Sequence, residues 1–260
     1  MGHQMGADPG DRLNRMENPS APYLPQIFIG TSGWNYGHWR GAFYPEHLAK
    51  TRWLLHYSEI FSTVEVNATF YRQMRPSTFE KWREGTPGGF LWAVKASRFI
   101  THIRRLHEVR EPLKTFMESL RPLGEKLGPV LFQLPPSLTF DKGLLESFCS
   151  LLPQDKRYTI EARHKSWMSD NALSCLKDFG IAWCISDTAG RYPYLETVTA
   201  DFAYIRLHGS KRLYASCYTE DELKAWAAKI HAWGLDTYVY FDNDVMAYAP
   251  MNALRLKELI

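Results

Sequence analysis

Short runs of β-branched and aromatic residues recur along the chain, separated by stretches whose apolar positions repeat with helical spacing. The runs predict strands over Ile27–Thr31, Ser62–Val66, Leu91–Lys95, Val130–Leu134, Tyr158–Arg163, Ile181–Ser186, Ala203–His208 and Thr237–Phe241. Helix signals lie between them. Ser77 with Glu80 and Thr219 with Glu222 have capping-box spacing, and Asp141 stands before Leu144, Leu145 and Phe148. Ser169 can open a helix that Gly180 stops, and Gly234 stops the one carrying Leu223, Trp226 and Ile230. Eight strands alternating with helices predict a parallel sheet closed as a (β/α)8 TIM-like barrel. Between Ser186 and Ala203 no helical period occurs, so the crossover between strands six and seven is expected to be a loop. An open doubly wound sheet would favour a glycine-rich phosphate turn, and neither G-x-G-x-x-G nor G-x-x-x-x-G-K-[ST] is present. Residues 26–260 read as a single barrel domain, and residues 1–25, rich in Gly, Pro, Asp and Asn, as a flexible tail.

Side chains alternate faces along a strand, so parity assigns an inward set. Val64 and Val66 face the helices, and Glu65 and Asn67 the interior. By the same rule Lys95, Gln133, Glu161, Arg163, Arg206, His208 and Asp242 point inward at the carboxyl ends of their strands, where barrel enzymes place their chemistry. Two carboxylates near a histidine and several cations suit acid–base work. The plain alternative is internal pairing, such as Arg206 with Glu65 or Arg163 with Glu161. Buried pairs rarely stabilise more than apolar packing would, so stability alone explains a large network poorly.

The loops add chemistry. TSGWNYGHWRGAFYP after the first strand spaces Trp34, Tyr36 and Trp39 with glycines, an arrangement suited to stacking on a sugar or base, or to capping the barrel mouth. KASRFITHIRRLHEVRE after the third strand is the densest basic stretch, and Lys95, Arg98 and His102 lie nearest the strand end. A metal set could be drawn from Glu65, Glu161, His164, Asp187, His208 and Asp242, but no metal-binding motif supports it and the sequence does not favour a divalent metal. No nucleotide or cysteine-ligated cofactor motif is present.

Of the 260 residues, 45% are hydrophobic, enough for a large core. The formal net charge of +3 is too small to imply nucleic acid by itself. Cys149, Cys175, Cys184 and Cys217 form no C-x-x-C pair and read as reduced, buried thiols. No apolar run approaches the roughly 20 residues of a membrane span. The expected compartment is the cytoplasm, with no membrane partner.

Together GTSGWNYGHWRGAFYP, STVEVNATFYR, FLWAVKASRFITH, LGPVLFQLPPS, EARHKSW, SDTAG, TADFAYIRLHG and YFDND resemble the YecE-like family, a domain of unknown function numbered seventy-two. The likeness runs from Ile27 to the carboxyl terminus. It implies a barrel related in outline to phosphate- and sugar-processing metal barrels, without a settled activity. Its motif positions here are Ser32, Trp34, Glu65, Asn67, Lys95, His102, Gln133, Glu161, Arg163, Asp187, Arg206, His208 and Asn243. Asp242 stands where the family's strand-eight motif has the first of two asparagines, and Cys217 occupies a loop that often carries glycine there.

The expected function is enzymatic acid–base chemistry on a phosphorylated or sugar-like anion. Glu65, Glu161, His208 and Asp187 are the expected catalytic groups. Ser32, Trp34, Asn67, Lys95, His102, Gln133, Arg163, Arg206, Asp242 and Asn243 are the expected binding groups. The alternatives are a nucleic-acid barrel, with Trp34, Trp39 and Trp167 stacking on bases, and a non-catalytic scaffold that binds a metabolite.

Overall fold

A computed structural model describes residues 24–260. The predicted tail lies, apart from its last two residues, outside the described residues. Eight strands form one parallel sheet: β1 Ile27–Thr31, β2 Thr63–Val66, β3 Leu91–Lys95, β4 Leu127–Gln133, β5 Tyr158–Glu161, β6 Ala182–Asp187, β7 Phe202–Leu207 and β8 Asp236–Phe241. From β2 to β8 each strand pairs with the next in the chain, and β8 returns to β1, so the sheet curls into the expected barrel with a seam between β1 and β2. Around it lie α1 Trp53–Ile60, α2 Ala68–Tyr71, α3 Pro76–Glu84, α4 Arg110–Leu120, α5 Lys142–Cys149, α6 Asp170–Asp178, α7 Glu220–Trp233 and α8 Tyr248–Leu259.

Local chemistry explains the elements. Asp141 and Ser169 accept hydrogen bonds from the first turns of α5 and α6, Thr219 and Glu222 form a full capping box on α7, and Gly234 ends α7 in the left-handed region. The Ser77–Glu80 box does not form. Pro76 takes the first helical position of α3, where its missing N–H loses nothing, and Ser77 falls inside the turn. Strand β4 begins earlier than predicted because Gly128 and Pro129 form an irregularity against Trp92 and Val94. Between β6 and β7 the chain runs as a loop, sewn to the barrel by Thr199, whose Oγ1 donates to Ile181 O at 2.6 Å and accepts from Trp183 N at 2.7 Å.

The buried side chains divide as the alternation requires. One large cluster lies between sheet and helices, and a smaller one, including Ala93, Leu131, Cys184, Tyr204, Tyr238 and Tyr240, fills the barrel. There the aromatics of β7 and β8 pack on one another, Phe202 and Tyr204 against Tyr238, and Tyr204 against Tyr240. A Cβ on Gly30 would lie 2.2 Å from Thr63 O, so β1 and β2 approach too closely there for any side chain. That seam is closed by a side chain rather than a full ladder. The Tyr57 hydroxyl accepts from Thr31 N at 3.0 Å and donates to Thr63 O at 3.0 Å, and above it Ser32 bridges Glu65.

Tyr57→Phe therefore strands a buried amide and a buried carbonyl. It is expected to destabilise the chain by about 1–3 kcal/mol, measured by urea unfolding. An unchanged midpoint would show that the seam closes without the phenol.

Candidate functional site

The top layer of the barrel interior is polar on every strand. Arg206, at the end of β7, is its centre. Its guanidinium donates from Nη2 to Glu65 Oε1 at 2.7 Å, from Nε to Glu65 Oε2 at 2.9 Å and from Nη1 to Glu161 Oε2 at 2.6 Å. Glu65 also accepts from Ser32 Oγ and Tyr204 OH, each at 2.7 Å. Glu161 also accepts from Gln133 Nε2 at 2.9 Å and Arg163 Nε at 3.1 Å. Burial opposes the charge of Glu161, but the charges of Arg206, Arg163 and Lys95 outweigh it and hold the carboxyl well below the usual carboxylate range. Both carboxylates are almost fully enclosed, and their acceptor positions are filled by the protein.

Asp242 completes one side. Its Oδ2 lies 2.9 Å from His208 Nδ1 and 3.4 Å from Arg206 Nη2. The histidine approach meets an ion-pair distance without hydrogen-bond alignment. His208 Nε2 lies 3.2 Å from Arg206 Nη1. A guanidinium can only donate, so Nε2 accepts and the ring proton belongs on Nδ1, facing Asp242. Burial opposes the Asp242 charge, but the contact with His208 and the charges of Arg206 and Lys95 keep its carboxyl low.

The opposite side holds cations with open valences. Lys95 is buried at the end of β3, with Nζ 4.4 Å from the Phe70 ring centroid and no hydrogen bond or ion pair to any described residue. Burial, followed by the charge of Arg206, pushes it down to about 8. Arg163 gives its Nε to Glu161 and lays its guanidinium 4.3 Å from the Tyr192 ring centroid, and no described acceptor meets its Nη atoms. Arg163 and Asp242 keep 13% and 20% of their side chains exposed, so the charged layer reaches solvent at these two residues. Half-buried His102 shares this field. Burial and the charges of Lys95, Arg163 and Arg98 push it down to about 4, so it is neutral near pH 7.

Several expected residues stand elsewhere. Trp34 turns to the helical layer, edge-on to Trp82 and Trp92 at 5.3 and 5.2 Å. Trp39 and Trp167 are sealed in packing, which removes them as a stacking platform. Asp187 is an anchor, accepting from Tyr218 OH at 2.8 Å and Ala189 N at 3.3 Å. Asn243 Nδ2 donates to Ser216 O at 3.0 Å and Asn252 Oδ1 at 2.8 Å, pinning the loop after β7. Asn67 sits at the end of β2 with a buried, unpaired Oδ1. In the basic loop, Arg105 donates to Ser137 Oγ and Ser137 O at 2.7 Å each, which ties two loops together. Among the described residues no three of His, Cys, Asp and Glu gather into a metal-holding group. All four cysteines are free, and Cys217, against expectation, is exposed.

Sequence reasoning missed Tyr192 and Tyr214, whose roles depend on loop conformation rather than strand parity. Tyr214, at φ 62°, lies over His208 with ring centroids 5.4 Å apart. It also missed Asp244, which accepts from Trp39 Nε1, lies 3.1 Å from His38 Nε2, and is pushed up to about 6 by burial. A separate cavity of about 500 Å³ opens between the first turns of α4 and α5, lined by residues including His107, Arg110, Asp141 and Ser147, and takes in none of the strand-end residues.

Fold and site define an α/β barrel with a charged layer at the carboxyl ends of its strands. The chain belongs to the family described as "Protein of unknown function DUF72", which matches residues 28–260. It is similar to the UPF0759 protein YunF of Bacillus subtilis (strain 168), with 27% identity covering 90% of this chain and 94% of that one. Among solved structures it resembles a DUF72 family protein of Thermotoga maritima MSB8, with TM-score 0.82 and 30% identity over 90% of this chain and 98% of the other. A DUF72 family protein of Enterococcus faecalis V583 shares the fold with TM-score 0.78 and 20% identity over 90% and 95% of the two chains. No described helix is long and apolar enough to cross a membrane.

The lowered Lys95 has a stability signature. Below about 8 the folded state carries a buried ammonium it disfavours, and between about 8 and the ordinary 10.5 the unfolded chain binds the extra proton, so stability rises with pH in that window. Lys95→Met is expected to raise stability at pH 7 by on the order of 3 kcal/mol, with the gain shrinking above pH 8. Urea unfolding at several pH values checks this, and a loss of stability at pH 7 would mark Lys95 as structurally paired.

Proposed function

We propose that the hollow binds a small molecule through a phosphate or carboxylate group seated against Arg163 and Lys95, and that the chain is an enzyme working by proton transfer on that molecule. The observation that carries the reading is Lys95, a buried cation at a strand end with no carboxylate of its own. Arg206 and Arg163 already take the direct pairings with Glu65 and Glu161, so Lys95 balances the charge of the layer without a contact that holds it in place. The open Nη atoms of Arg163 suit a two-point contact with a planar or tetrahedral anion. Buried polar atoms without a protein partner occur in this layer on Asn67 and Ser186, and support a polar occupant.

In this reading Glu65 and Glu161 are positioning residues that fix Arg206. Proton transfer falls to the His208–Asp242 pair, which Tyr214 covers and whose uncovering requires that side chain to move. Ser32 and Gln133 hold the carboxylates in place. A nucleic-acid reading has lost two of its three stacking tryptophans to packing, so the small anion is preferred.

Titration calorimetry with orthophosphate, and separately with small carboxylates, tests the reading. Arg163→Gln is expected to weaken binding by about 10- to 100-fold, the equivalent of about 1.5–3 kcal/mol for a charged hydrogen bond. Absence of binding by the unaltered protein at millimolar anion would remove the proposal.

A further inference from the structure

Resting on the anion-binding reading, we infer that Lys95 is a covalent nucleophile, forming an imine with the carbonyl carbon of an anionic aldehyde or ketone whose charged group sits on Arg163. Lys95 stands at the mouth of the barrel, and no carboxylate makes an ion pair with it. Its Nζ is bordered by the Phe70 ring, and its backbone carbonyl is fixed by Thr69 Oγ1 at 2.6 Å. A lysine acts as a nucleophile when desolvation or a neighbouring cation keeps its amine uncharged. Both conditions hold here, since burial and Arg206 together lower it to about 8. An arginine or a salt-bridged lysine at this position would bind an anion as well but could not attack a carbonyl.

The step balances without an oxidant or reductant. The Nζ lone pair forms a bond to the carbonyl carbon, the C=O π pair moves to oxygen, and a nitrogen proton passes to that oxygen to give a carbinolamine. A second proton, from solvent, lets the oxygen leave as water, and the nitrogen lone pair closes the C=N bond as a protonated imine. Hydrolysis reverses the sequence. The iminium keeps the single positive charge of the ammonium, so the field of Glu161 and Asp242 around it is conserved.

Glyoxylate is the smallest anionic aldehyde, so a hollow that admits the class admits it. The full chain is treated with glyoxylate and cyanoborohydride, which converts the imine to a carboxymethyl-lysine, and each lysine is followed by peptide mass spectrometry. At pH 7 Lys95 is expected to react faster than exposed lysines by about tenfold or more, given its larger neutral fraction. Its rate should level off above pH about 8 while the exposed lysines keep accelerating. Orthophosphate should slow Lys95 alone, and Lys95→Arg should lose the fast site. If Lys95 reacts no faster than exposed lysines while orthophosphate still binds in an Arg163-dependent way, the covalent role is overturned and the anion site stands. If orthophosphate neither binds nor protects, the anion reading fails and the inference falls with it.

Discussion

A guanidinium held between two carboxylates inside a closed barrel sets the terms for everything above it. Arg206 is 1% exposed, and its partners Glu65 and Glu161 are 0% and 2% exposed. Removing three ions from water carries a penalty of several kcal/mol each, recovered only when geometry is near ideal and the remaining lone pairs are filled. The sequence fills them. Tyr204 and Ser32 complete Glu65, Gln133 and Arg163 complete Glu161, and Tyr240 and Thr63 lock the layer below. Loss of either carboxylate would leave a buried charge uncompensated. Five different strands are thereby fastened at one level, and that rigidity positions the residues facing the opening.

With Arg206 satisfied, the outer groups follow a different accounting. Arg163 spends only its Nε on the network, and Lys95 spends nothing. Asp242 supplies a third carboxylate where the resemblance implies an asparagine. Its charge offsets part of the cationic field on Lys95 and gives His208 an anionic neighbour. An asparagine there would keep a carbonyl oxygen for the Nδ1–H and remove the charge. This substitution therefore tunes the proton affinity of the layer without altering its frame.

Most of the fold was legible because it depends on periodicity. Strand-end alternation puts Glu65, Lys95, Glu161, Arg206 and Asp242 on one face, since parity is a local property of an extended chain. The rule does not reach past the strand ends. Trp34, read from its loop, and Asn243, named through the resemblance, belong to turns, where φ and ψ no longer alternate, and one turned to the helical layer while the other tied down a loop. Ser77 failed as a cap because a neighbouring proline had the stronger local preference. Tyr192 and Tyr214 were illegible because their positions follow from loop paths that no short-range pattern encodes.

Those two tyrosines give the irregular part of the barrel a reason. A regular crossover helix after β6 would carry the chain straight to the outer layer. The loop that replaces it, tied down by Thr199, stays near the mouth long enough to set Tyr192 under Arg163. The next loop holds Tyr214 over His208 in a left-handed conformation that a tyrosine adopts only when its surroundings compel it. One ring orients a guanidinium whose outer nitrogens stay open, and the other shields a histidine whose proton faces Asp242. Both departures from the ideal barrel therefore act on the same charged layer. The unpaired Lys95 belongs to that layer too, at the end of β3.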